Sequence, residues 1–155
     1  MKTILSYQAI KEKLTQYDLK ATSQRLVIYE AIYNCDKHPT AEYIFEKIHP
    51  KNPSISLATV YKTLDTFAEV GLIKRVNSND GSLRFDAHTD LHNHLYCVDT
   101  KEIIDFEDNS LSQLLQDFLA SKQFDNFLIK DFQLQIIGEK LDKTKKIAIY
   151  DKEKK

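Results

Sequence analysis

Apolar side chains recur about once per helical turn through the first part of this chain, then give way to shorter, alternating runs. "SYQAIKEKLTQYD" predicts a helix with Ser6 as its N-cap, and "TSQRLVIYEAIYNC" a second, capped by Thr22 or Ser23. "HPTAEYIFEKIHP" predicts a third helix with a Pro-Thr start that stops before Pro50. "SISLATVYKTLDTFAEVG" predicts a fourth, from a Ser cap to Gly71, a residue suited to the position just past a helix end. In that fourth helix Leu57, Val60, Leu64 and Phe67 form one apolar stripe. Ala58, Tyr61, Lys62 and Asp65 form another face, offering a small residue, an aromatic hydroxyl and a cation near the helix start.

After Gly71, "LIKRV" and "SLRFDA" predict short strands around the turn signal "NSNDG". Helices followed by a hairpin outline a winged helix-turn-helix. A generic helical bundle with a hairpin shares that outline. The winged helix is favoured because its second helix must combine a core stripe with a polar reading face. Further on, "HNHLYCV" and "EIIDF" predict strands, "NSLSQLLQDFLASK" a helix, and "NFLIKDFQLQIIGE" a strand. The Lys-rich tail "KLDKTKKIAIYDKEKK" holds one apolar run, "IAIY", read as an added strand, with disorder expected in the last few residues. The expected fold class is α+β. A winged helix-turn-helix domain would span residues 1–84 and a small α/β domain residues 85–155, with strand pairing between two copies as a dimer mode.

Composition changes this picture little: 155 residues, 42% hydrophobic and 29% charged, suit a globular protein. No apolar run approaches the ~20 residues that span a bilayer. Charges interrupt the N-terminus before a signal-peptide core forms, so a cytoplasmic location is expected, with no membrane partner. Charge is more informative. Residues 1–75 carry 11 Lys/Arg against 8 Asp/Glu, giving +3, and residues 76–155 carry 11 against 15, giving -4. A basic N-terminal half suits an anionic partner. Two cysteines, Cys35 and Cys97, cannot supply a four-cysteine zinc staple within one chain.

"RFDAHTDLHNHLYC" holds three of the five histidines. On a strand, His92 and His94 project to one side, and Arg84, Asp86 and His88 share a face of theirs. Asp105 sits on the next strand. Such imidazole and carboxylate groups suit divalent transition metals. A solvated polar face fits the same spacing equally well. Cys97 points away from the two histidines and reads as a small buried hydrophobe rather than a nucleophile. No nucleophile elbow, phosphate loop or HExxH is present, so the chain reads as no enzyme. A small metal-dependent enzyme using the His/Asp site is the alternative from another class.

"ATSQRLVIYEAI", "HPTAEYIFEKI", "SLATVYKTLDTFAEVGLI", "RFDAHTDLHNHLYC" and "EIIDF", in order over roughly residues 20 to 138, resemble the ferric uptake regulator family. The resemblance implies a homodimeric, metal-dependent transcriptional repressor of double-stranded operator DNA. It implies a regulatory metal site of His38, Asp86, His92, His94 and Asp105. That set, free of thiolate, favours Fe(II) or Mn(II), with Zn(II) as a substitute. Asp at both acidic positions resembles the peroxide-sensing branch, where Fe(II) and hydrogen peroxide oxidise ligand histidines, here His38 and His92. An iron or manganese uptake regulator is the alternative within the family. For DNA, Tyr61 and Lys62 are expected on the reading face, Ser56 and Thr59 at phosphates, and Lys20 and Arg25 at the backbone or minor groove.

The chain departs from the family in two places. The structural zinc usually held by two CxxC pairs is reduced to Cys97 with Thr100. An additional surface metal site is replaced by Leu91, Asn93, Ser112 and Glu139. His88 is an extra residue, expected to be solvated, and His49 is expected to be structural or exposed.

Overall fold

The computed structural model describes residues 4–90 and 92–152. Leu91 and the last few residues, for which disorder was expected, lie outside them. The chain forms two compact units, Met1–Leu91 and His92–Lys155.

The first unit carries helices α1 (Tyr7–Gln16), α2 (Ser23–Tyr33), α3 (Ala41–Ile48) and α4 (Leu57–Glu69), then strands β1 (Lys74–Asn77) and β2 (Leu83–Asp86). Each helix starts on a hydroxyl cap. Ser6, Thr22, Thr40 and Ser56 accept from the N–H three residues on, at Ala9, Arg25, Tyr43 and Thr59. Gly71 ends the run with φ at 81°, a left-handed conformation that costs glycine little. Among the four stripe residues of α4, Val60, Leu64 and Phe67 are fully buried. Leu57 is only half-buried, since it opens the helix, and Thr63 takes part in the buried face instead.

Phe67 packs edge-on against Tyr29 of α2, with ring centroids 5.9 Å apart and planes at 87°. Such a pair adds to its area burial. Phe67→Ala is therefore expected to destabilise the unit by about 3–5 kcal/mol, the usual range for an emptied core aromatic. A lowered urea midpoint would show it.

Leu72 and Ile73 are buried in the core, so the "LIKRV" strand begins only at Lys74. The hairpin is antiparallel with Lys74 opposite Asp86 and Arg75 opposite Phe85. The expected domain boundary at residue 84 thus falls inside β2, and the compact units divide at Leu91 instead. The reason is the ladder itself: cutting after Arg84 would separate Phe85 and Asp86 from their partners.

The second unit carries β3 (Asn93–Cys97), β4 (Ile103–Phe106), helix α5 (Asn109–Ala120) and β5 (Gln135–Gly138), with sheet order β4-β3-β5. β4 is antiparallel to β3 and β5 is parallel to it. Asp108 caps α5 by accepting from Leu111 N–H. Two strand expectations are corrected here. "NFLIKDFQLQIIGE" forms a ladder only over Gln135–Gly138, where β3 offers partners. "IAIY" forms no strand: residues 146–150 have no regular structure, and Ile149 and Tyr150 are exposed. Among the described residues no helix is long and apolar enough to cross a membrane.

Candidate metal centre and nucleic-acid interface

The first unit builds a His–Asp pair. His38 lies in the connection between α2 and α3, and Asp86 ends β2. A hydrogen bond from Phe85 N–H to Pro39 O (2.9 Å) ties the two segments side by side. It leaves His38 Nε2 3.2 Å from Asp86 Oδ2, with both side chains buried. The other oxygen, Oδ1, accepts from His88 N–H at 2.8 Å, which fixes the carboxylate's orientation. His88 itself is not simply solvated: its ring is half-buried and sits 3.5 Å from Asp90. Arg84 is drawn instead to Asp80, 3.7 Å away. His49 is exposed at the end of α3, its ring against Phe45.

The second unit builds a three-donor set. His92 precedes β3, and His94 lies within it, directly opposite Asp105 of β4. One carboxylate oxygen, Asp105 Oδ1, lies 3.3 Å from His92 Nε2 and 3.6 Å from His94 Nε2. The two imidazole centroids are 4.7 Å apart. Both histidines are buried, while Asp105 keeps part of its surface exposed. Two imidazolium ions in such contact would repel. Neutral rings with inward lone pairs are what a divalent cation stabilises. Donors about 2.0–2.2 Å from one ion at right angles stand roughly 3 Å apart, which is the scale of the spacing seen here. His92, His94 and Asp105 therefore carry donor atoms that fit a metal ion within the second unit, and His38 and Asp86 offer a nitrogen and a carboxylate donor in the first.

Cys97 is buried at the far end of β3. Its thiol is held below the usual range, first by a hydrogen bond with the Thr100 side chain. Of the four residues expected to replace an additional surface metal site, Leu91 lies outside the described residues. Asn93 is buried, Ser112 is half-buried on α5, and Glu139 is exposed.

The start of α2 and the outer face of α4 enclose a cleft of about 550 Å³ lined by Lys20, Thr22, Gln24, Arg25, Thr59 and Lys62. Four of the six residues expected to contact DNA thus share one surface. Arg25 does not extend freely: its Nη1 donates to Lys20 O at 3.0 Å. Ser56 Oγ accepts from Thr59 N–H and lies 3.0 Å from Thr59 Oγ1. Gln24 and Thr66, also in this cleft, escaped the sequence reading. Both are uncharged. The only signal for Thr66 is its place one turn after Lys62, whose carbonyl its hydroxyl donates to at 2.9 Å.

Tyr61 stands outside that cleft. Its ring is exposed, not a core aromatic, and its hydroxyl donates to the Glu42 carboxylate in the first turn of α3. This bond is the main reason the Glu42 carboxyl lies below its ordinary range and the Tyr61 phenol above its own.

A winged-helix unit with a basic cleft, followed by an α/β unit with a His/Asp donor set, defines the class of metal-responsive DNA-binding proteins. Residues 16–137 match the model of the ferric uptake regulator family. A peroxide-responsive repressor of Staphylococcus aureus is 33% identical over 125 residues, covering 81% of this chain and 82% of the relative. The solved ferric uptake regulator of Vibrio cholerae is 30% identical, covers 83% of this chain and 98% of its own, and superposes with a TM-score of 0.68. The Pseudomonas aeruginosa ferric uptake regulator, solved with manganese, is 27% identical with a TM-score of 0.71, over 86% and 98% of the two chains. The chain belongs to the ferric uptake regulator family.

Proposed function

We propose that this protein is a homodimeric, peroxide-responsive repressor in the cytoplasm that binds operator DNA when a divalent metal is bound. The observation that carries the reading is the thiolate-free donor set, with Asp at both acidic positions. Likeness to the peroxide-responsive S. aureus repressor supports it. His38 and Asp86 come from the DNA-binding unit, and His92, His94 and Asp105 from the second. One ion held by all five would clamp the units and set the spacing of the two recognition helices in the dimer. Metal and DNA then raise affinity for each other by the same factor. Exposed apolar groups of the second unit, among them Leu114 and Phe118, support a homodimer.

Fe(II) or Mn(II) suits these donors, and Zn(II) could substitute. A bound ferrous ion would supply the one-electron chemistry that activates hydrogen peroxide. In the net step, one peroxide oxygen replaces a ring C–H hydrogen of His38 or His92 and the other leaves as water. The oxidised ring is a poorer donor, so the clamp opens. Each site is consumed once, which makes the protein a sensor rather than an enzyme. One stoichiometric dose of peroxide is expected to release Fe(II)-loaded protein from DNA, with one oxygen added on His38 or His92 by mass spectrometry. Mn(II)-loaded protein should stay bound. The ferric uptake regulators at 30% and 27% identity favour a second reading, an iron or manganese uptake regulator. Metal-dependent DNA binding that ignores peroxide would select it.

A further inference from the structure

We infer that Glu42 is a positioning residue for sequence reading. It holds the Tyr61 hydroxyl, so that Tyr61 meets a base through its ring rather than a phosphate through its hydroxyl. This rests on the DNA-binding reading above. Tyr61 projects from α4 and Glu42 from the first turn of α3, both at the protein surface. A phenol has one proton to donate, and here Glu42 accepts it. A phosphate oxygen would need that same proton. It would also have to approach beside a carboxylate, which repels it. Glu42 is favoured as an anion first by the hydrogen bond from Tyr61, and it lies in the first turn of a helix, where a negative charge is stabilised. The ring has no such competition. Tethered at its hydroxyl, it offers an apolar surface of fixed orientation, suited to a thymine methyl group.

The alternative is that Glu42 is only a negative charge near DNA. The two roles differ in sign. Loss of a bare repulsive charge strengthens binding to every duplex alike. Loss of a tether weakens discrimination, because the freed ring must be ordered on binding.

The test measures binding of the Mn(II)-loaded protein to two duplexes. One is enriched from a random-sequence library by the wild-type protein, and the other is its scrambled counterpart. Glu42→Ala should lower the ratio of the two affinities by about 2- to 10-fold, the effect of freeing one side chain at an interface. Glu42→Gln, which keeps a carbonyl acceptor, should hold the ratio near wild type. Tyr61→Phe should match Glu42→Ala, and the double variant should lose no more than either alone. A ratio unchanged in Glu42→Ala, or additive losses in the double variant, overturns the inference. Failure of the wild-type protein to enrich any sequence would instead overturn the DNA-binding reading. A readout without DNA separates the two: the Tyr61 phenol, followed by NMR, should titrate above its ordinary value and return to it in Glu42→Ala. No change there refutes the tether.

Discussion

Replacing Asp105 by Ala is expected to reduce the DNA affinity of the Mn(II)-loaded protein to that of the metal-free protein. The drop should be about 5- to 150-fold, the span of ordinary coupling free energies. Asp105 is the informative residue to remove because both histidines of the second unit converge on its Oδ1. Without it, the unit is left with two neutral imidazoles. A hard divalent ion such as Mn(II) loses its anionic donor there. Asp105 also keeps part of its surface exposed on the edge strand β4, so truncation opens no core cavity. Metal-free stability should stay within about 0.5 kcal/mol of wild type, as for most surface changes. Fluorescence anisotropy with a labelled duplex, with and without a chelator, measures the effect. Full Mn(II) activation in the variant would remove Asp105 from the proposed ligand set.

The same residue shows how far the sequence carries. Alternation placed His92 and His94 on one side of a strand, and the ladder opposes His94 to Asp105. That part was legible because strand geometry is local and the two strands are neighbours in the chain. The His38–Asp86 pair was not legible from spacing. The residues are 48 positions apart and meet through tertiary packing in which Phe85 N–H donates to Pro39 O. Resemblance to the family supplied it. The starts of α1 to α4 were plain for the opposite reason: a hydroxyl cap acts within three residues.

Strands failed where they needed a partner that periodicity does not reveal. The alternation in "NFLIKDFQLQIIGE" runs well beyond Gln135–Gly138, but the ladder with β3 does not. "IAIY" has strand propensity and no ladder. The Glu42–Tyr61 bond joins two helices, so each face looked complete without it.

The largest loss of DNA affinity is expected from Leu114→Glu combined with Phe118→Glu. These positions are one turn apart on α5 and are 64% and 58% exposed. None of the twelve residues of α5 is buried, although Leu111, Leu114, Leu115, Phe118 and Leu119 make it strongly amphipathic. A helix with an apolar stripe is stable when that stripe is covered, and an exposed stripe of this kind marks an interaction surface. In the homodimer proposed above, a second copy of the chain would supply such cover. Two carboxylates on each copy would set like charges against each other across that interface and bury them without partners. The variant should sediment as a monomer. Each monomer retains its cleft of Lys20, Arg25 and Lys62, so weak salt-sensitive binding should persist. What disappears is the linkage between two half-sites, which makes the second contact intramolecular and contributes about 10²- to 10⁴-fold. The metal plays a separate part, so added Mn(II) should not restore that loss. A variant that remains dimeric by sedimentation and binds DNA as wild type would place the dimer interface elsewhere on the second unit.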